Sequence, residues 1–279
     1  MRYALKLFYL GDSEKLEGFQ RQVGKNTVEG YLLEAFRKAG LLEDLETAAY
    51  SAAGRTDRGV HALGQVVAIS TPKKLFIRAI NTNLPENIIV WGSKVVNELF
   101  HPRYDAISRH YCYYTHYSNE DLSLMLEGAK LLEGIHDFKL FSRNSPLVST
   151  IREVYQIGIE LKEPFLIFHL IADSFLWQMV RRIVNSLLKI GRAEWNLQDL
   201  QDLLSGTPGP NIFTTPSPTN ESGALFLWDI EYPFQFEPDI KSLNQVRERL
   251  QKYIIESSLK HYYFREIYDF FSIIGEKGK

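Results

Sequence analysis

Ala53-Gly54-Arg55-Thr56-Asp57-Arg58-Gly59-Val60-His61-Ala62, followed by Gly64-Gln65-Val66, is the most unusual segment of the chain. Two arginines flank an aspartate, and two glycines bracket all three. Glycine permits tight backbone geometry. Positive charge on both sides favours an ionised carboxylate, the form that a nucleophile or a base requires, and arginine also holds phosphate. Taken by itself, such a segment is more often a surface turn with a local salt bridge, because short motifs recur by chance.

Outward from this segment, the chain alternates between strand and helix patterns. Upstream, Tyr3–Tyr9 reads as a strand and Gly11–Gly24 as a polar loop. Thr27 is a candidate N-cap for a helix through Val28, Leu32, Leu33 and Phe36 that stops at Gly40, and Tyr50–Ala53 reads as a strand end. Downstream, Gly64–Thr71 is a strand ended by Pro72, Phe76–Asn83 a short helix and Ile88–Val96 a strand. The order then recurs. Arg109–Tyr117 is β-rich, Leu122–Leu132 is a helix ending at Gly134, and Ile151–Leu161 with Phe165–Ala172 form a hairpin around Lys162-Glu163-Pro164. A helix is predicted over Phe175–Ile190, stopped by Gly191, and Asn196 caps another through Leu204. Thr207–Gly223 is a long loop, Leu225–Glu231 a strand and Ser242–Lys260 a terminal helix.

This order predicts an α+β chain with antiparallel sheets. It divides into an N-terminal half over residues 1–103, a C-terminal half over 104–235 and a helical extension over 236–279.

Bulk composition narrows the class. The 279 residues are 45% hydrophobic and 24% charged, ordinary for a globular protein. One cysteine, Cys112, excludes an intrachain disulfide, which fits a reducing cytoplasm. No stretch approaches the roughly 20 apolar residues that span a membrane, and the N-terminus lacks a signal-peptide pattern. The formal net charge of −2 speaks weakly against nucleic acid, but charge is uneven: Arg181–Arg192 is basic and the tail after Trp228 carries many acids. Binding follows local patches. The histidines show no metal-site spacing, and cysteines are unpaired, so no metal or cofactor is expected. His61 is assigned a packing role before a catalytic one.

At about 100° per residue, a helix from Phe175 gathers Phe175, Leu176, Met179, Val180, Ile183, Val184, Leu187 and Leu188 on one apolar face. Arg181 falls at the edge of that face and can reach a cleft, whereas Arg182 points nearly opposite. Two arginines that merely solvate a surface helix are the plain alternative. Tyr111 and Tyr113 share a strand face, where a core role is the default.

The Asp57 segment resembles the signature of the tRNA pseudouridine synthase A family. Further elements are similar to that family's, in family order, from about residue 3 to 232. They are Phe19-Gln20-Arg21-Gln22, Asn81-Thr82-Asn83-Leu84-Pro85, Phe100-His101-Pro102-Arg103, Arg109-His110-Tyr111-Cys112-Tyr113, Phe175-Leu176-Trp177-Gln178-Met179-Val180-Arg181-Arg182-Ile183-Val184 and Ala224-Leu225-Phe226-Leu227. Several ordered motifs are far more specific than one. Arg58, where bacterial members usually have alanine, and the helical tail look archaeal-like.

The resemblance implies two RRM-like (ferredoxin-like) halves flanking a central active-site cleft. It implies a cofactor-free isomerase that converts uridine to pseudouridine at positions 38, 39 or 40 of the tRNA anticodon arm, and a homodimer holding tRNA. It assigns Asp57 as the essential carboxylate, Arg55 to displacing the target base, Tyr111 to stacking on uracil, Arg181 to pairing with the aspartate and Leu176 to lining the pocket. Phosphate contacts are expected from Arg21, Arg58, Arg143, Arg182 and Lys189. A non-catalytic RNA-binding module of tandem RRM-like halves is the competing class, but the chain lacks the Gly-Phe-rich pattern of such sheets. A hydrolase using Asp57 would need a second acid or base that the sequence does not offer.

Overall fold

The computed structural model describes residues 1–11, 16–42, 48–143, 149–207 and 223–277, with residues 269–277 as backbone alone. Residues 12–15 of the expected loop at Gly11–Gly24, and 208–222 of that at Thr207–Gly223, lie outside the described residues.

Elements run in the order β1 (Arg2–Tyr9), α1 (Val28–Lys38), β2 (Ser51–Ala52), β3 (His61–Ser70), α2 (Ile77–Asn81), β4 (Ile88–Val96), β5 (Ser108–His116), α3 (Leu122–Leu132), β6 (Gly134–Asp137), β7 (Ile151–Lys162), β8 (Phe165–Ala172), α4 (Met179–Gly191), α5 (Leu197–Leu204), β9 (Gly223–Glu231), β10 (Glu237–Pro238) and α6 (Ile240–Lys277). A short 3₁₀ turn covers Lys139–Phe141. Local chemistry accounts for several boundaries. Thr27 accepts from the Gly30 N–H to begin α1, Asp121 accepts from Ser123 and Leu124 to begin α3, and Asn196 with Asp199 forms a reciprocal capping box on α5.

Among the described residues, all strands join one mostly antiparallel sheet in the order β10-β4-β1-β3-β9-β5-β8-β7-β6, with β2 paired to β3. The exception is the parallel junction of β3 and β9, where His61 faces Phe226 and Ala62 faces Leu227. Strand β9, late in the chain, thus bridges β3 and β5. Two hydrophobic cores lie along this sheet. One packs Leu32 and Phe36 of α1 on Leu5 and Leu7 of β1. The other packs Met125 of α3 and Ile183 and Leu187 of α4 on Phe168 and Leu170 of β8. Across the junction, Lys6 pairs with Asp229, and Val60 from the Asp57 segment joins the second core.

Two expected helices need correction. The helix expected from Phe175 begins at Met179: Gln178 sits in the left-handed region at φ 64°, which stops helical hydrogen bonding upstream. Asp173, ahead of this stretch, accepts from the N–H groups of Ser174 and of Glu153 on β7. The terminal helix expected over Ser242–Lys260 runs over Ile240–Lys277, since no proline or glycine interrupts it before Gly275. The strand β6 was not expected. Among the described residues, no helix is long and apolar enough to cross a membrane.

Candidate active site

The segment carrying Asp57 links β2 to β3 and is fastened on its inner side. Ala53 donates its N–H to the Val66 carbonyl at 2.9 Å, and fully buried Gln65 donates Nε2 to the Gly54 carbonyl at 3.2 Å. Buried Thr56 turns inward. Its hydroxyl shares a 2.7 Å hydrogen bond with that of Tyr9, and its carbonyl accepts from Phe19 N–H at 3.0 Å. Burial pushes the Tyr9 phenol well above its ordinary range, against the opposing effect of its hydrogen bonds to Thr56 and Gln65. The Val60 N–H returns to the Asp57 carbonyl at 3.2 Å, with Gly59 at φ +79°. With its inner residues held, the loop leaves Arg55, Asp57 and Arg58 exposed.

Gly18 backs this loop at φ +95°. A β-carbon there would lie 3.1 Å from the Thr56 carbonyl oxygen and 3.2 Å from the Arg58 nitrogen, so backbone meets backbone directly. Gly11 crosses the other end, where a β-carbon would overlap the Val60 carbonyl, and its N–H donates to His61 Nδ1 at 3.2 Å. The His61 ring stacks on Phe226 with centroids 4.6 Å apart, in keeping with a packing role.

Opposite Asp57 stands the segment that precedes α4. Trp177 donates Nε1–H to Asp57 Oδ2 at 3.2 Å. Phe175 meets Tyr111 of β5 edge-on at 5.1 Å. Tyr111 is half-buried between the two cores, and its phenol is pushed up to about 12 by burial, with the negative charge of Asp57 adding to the rise and Arg109 opposing it. Arg181, in the first turn of α4, is buried and carries its guanidinium 5.9 Å from the ring of fully buried Tyr113. Leu176 is half-buried against the second core, in the non-helical approach to α4. The structure therefore brings Asp57, Tyr111, Phe175 and Trp177 to one place, with Arg181 against Tyr113 two residues along β5 from Tyr111.

The expected phosphate contacts divide. The Arg143 guanidinium lies 4.7 Å from the Trp177 ring, and the Arg143 N–H donates to the Trp177 carbonyl at 3.1 Å. Arg182 stands near it: burial first, and then the Arg143 charge, lower its pKa. These two make a positive pair beside Trp177. Arg58 pairs with Glu17 at 3.5 Å, while Arg21 is exposed ahead of α1. Lys189 is engaged in the last turn of α4, with Glu194 at 3.1 Å and the Trp195 ring at 5.2 Å.

Sequence reasoning left Trp177 without a role. A helical wheel from Phe175 places it between Val184 and Leu188 on the apolar face, as one more core residue, but the wheel does not apply before Met179. The signal available was an aromatic with a polar tip inside the same motif as Arg181. Thr56 and Gly18 carried no individual signal.

A family model described as tRNA pseudouridine synthase matches residues 129–233. Over most of its length the chain is similar to archaeal proteins named tRNA pseudouridine synthase A. It is 36% identical to that of Methanococcoides burtonii over 91% of this chain and 92% of the relative. It is 38% identical to that of Methanosarcina barkeri over 91% and 94%, and 34% identical to that of Archaeoglobus fulgidus over 100% and 99%.

Proposed function

The chain belongs to the tRNA pseudouridine synthase A family and is an isomerase acting on tRNA, and we propose that Asp57 is its catalytic carboxylate, acting on uridines 38, 39 or 40 of the anticodon arm. The observation that carries this reading is the exposed Asp57 carboxylate, held on a fastened loop and facing Trp177, Tyr111 and the start of α4.

Pseudouridine formation breaks the N1–C1′ bond, turns the uracil and joins C5 to C1′; the proton on C5 then leaves to solvent. A uridine in a stem must first leave the stack, a task for the exposed Arg55. An anionic carboxylate has two routes. It attacks C1′ to form an ester, or it takes the proton at C2′ to give a glycal. Either way the detached base must stay in the pocket while it turns. Tyr111 supplies a stacking face, a contact whose loss costs about 1–3 kcal/mol per base in other proteins. Leu176 supplies an apolar wall. Arg181 orients the carboxylate in the two-point geometry that guanidinium favours. Arg143 and Arg182 receive tRNA phosphates, with Arg21 and Arg58 at the margin. Lys189, held by Glu194, is the weakest of the expected contacts.

The two cores on one sheet support a reading as two RRM-like halves with the cleft between them, residues 1–103 and 104–235, followed by an extension over 236–279. A homodimer in the cytoplasm is part of the same reading, and the exposed apolar residues Ile254, Leu259 and Tyr262 of α6 are compatible with burial against a second copy.

Tritium release from uracil-5-labelled tRNA tests the assignment. Wild type is expected to release tritium and Asp57→Ala to release none while still binding tRNA. Full turnover by Asp57→Ala would remove Asp57 from the role. Mapping the product fixes the positions modified.

A further inference from the structure

His110, Cys112 and His169 form a compact triad that the isomerisation does not use. His110 and Cys112 are two apart on β5, and Cys112 faces His169 across the β5–β8 ladder. Because side chains alternate along a strand, these residues project away from the face that holds Tyr111 and Tyr113. His110 Nε2 and His169 Nδ1 are 3.1 Å apart, and Cys112 Sγ lies 3.5 Å from the first and 3.2 Å from the second.

We propose that His110, Cys112 and His169 bind a borderline divalent transition metal of the zinc type, through Nε2, Sγ and Nδ1 respectively. The spacing is a few tenths of an ångström inside one face of a ligand tetrahedron. Bond lengths of about 2.0–2.1 Å to nitrogen and about 2.3 Å to sulfur set the edges of that face at about 3.3 Å and 3.6 Å. Protons fill at most two of the triangle's three edges, since a ring nitrogen that carries hydrogen has no lone pair with which to accept. A cation takes one lone pair from each atom. A thiolate with two imidazoles selects zinc, cobalt or copper over magnesium and calcium.

The surroundings suit such a site. Glu160 Oε2 lies 4.0 Å from His169 Nε2, the ring nitrogen that points away from the triad, where a carboxylate orients a ligating imidazole. Cys112 is fully buried, whereas the His169 side chain is 35% exposed, so water can reach the outer side as a fourth ligand. In β7 the neighbour of His169 is Gly158, which places no side chain over the triad. A bound ion would join β5 to β8 independently of Asp57.

The full chain, stripped with a chelator and dialysed, is titrated with Co²⁺ and then with Zn²⁺. Wild type is expected to take up one Co²⁺ per chain, with the intense visible bands of tetrahedral cobalt and a thiolate-to-cobalt charge-transfer band, both lost on adding Zn²⁺. Cys112→Ser is expected to lose the charge-transfer band and at least about 100-fold in affinity, more than the loss typical of an outer partner. His169→Gln, altered at a partly exposed position, is expected to weaken binding at least about tenfold and carries the test if Cys112→Ser fails to fold. A wild type that stays spectroscopically silent overturns the proposal, as does a cobalt spectrum unchanged in the folded variants.

Discussion

The indole Nε1–H of Trp177 donates to the Oδ2 of Asp57 at 3.2 Å, across 120 residues of chain. Trp177→Phe removes the donor and keeps an aromatic ring for Arg143. A hydrogen bond to a charged group contributes about 1.5–3 kcal/mol where water is excluded; Trp177 is 48% exposed, so the lower end or less applies. The turnover number is expected to fall roughly tenfold or less, with tRNA affinity unchanged. Single-turnover and filter-binding measurements separate the two; equal losses in both would mean that Trp177 serves binding instead of positioning the carboxylate.

Gly18 and Gly24 both have positive φ, but only Gly18 lies against the Asp57 loop. Alanine at either position costs about 1 kcal/mol or more from the backbone conformation alone. Gly18→Ala should additionally displace the loop and lower activity well beyond its effect on stability. Gly24→Ala, with open space around the added β-carbon, should keep wild-type turnover. Chemical denaturation and tritium release on the pair check this.

The Tyr9–Thr56 hydrogen bond is buried. Thr56→Val removes one partner of the Tyr9 hydroxyl and leaves it Gln65, and is expected to cost about 0.5–1.5 kcal/mol of stability. Tyr9→Phe combined with Thr56→Val should cost less than the sum of the single changes. Additive losses in a denaturation cycle would show that the two hydroxyls do not act as a pair.

Arg143 and Arg182 should act through phosphate. Arg143→Ala and Arg182→Ala are each expected to weaken tRNA binding and to reduce the slope of log K against log salt by about one. Arg181→Ala should instead depress turnover more than Arg182→Ala does. Equal losses in turnover would defeat the distinction between the buried and the half-buried arginine.

Alkaline stability reports on Tyr111. Its pKa, raised to about 12 from 10.0, means that the folded state keeps a proton that the unfolded chain releases earlier. The resulting stabilisation is full below about pH 10 and is lost as pH rises toward 12. Tyr111→Phe should therefore lose stability less steeply across that window than wild type in denaturant melts at stepped pH.

Local chemistry made much of this architecture legible. Thr27 and Asn196 announced their helices, and the Tyr3–Tyr9 pattern announced β1. The Phe175 boundary failed because the apolar periodicity continues upstream of Gln178, whose left-handed backbone starts the helix only at Met179. The β3–β9 junction was invisible because it pairs residues far apart in sequence. Asp57, Tyr111 and Arg181 were expected through ordered motifs, whereas the placement of Trp177 depends on a backbone turn at Gln178. The His110–Cys112–His169 triad escaped a search for ligand spacing because its third member arrives by strand register.

The position of β9 also governs assembly in time. As a ribosome delivers the chain from its N-terminus, β1, β3, β4, β5 and β8 all emerge before the strand that lies between β3 and β5. Until then, two unsatisfied sheet edges wait within one molecule, each able to accept a foreign strand. Closure comes from a contact of long sequence separation, the kind that slows folding. Refolding should thus be slow and concentration-sensitive, with the two cores gaining amide protection before the seam between them.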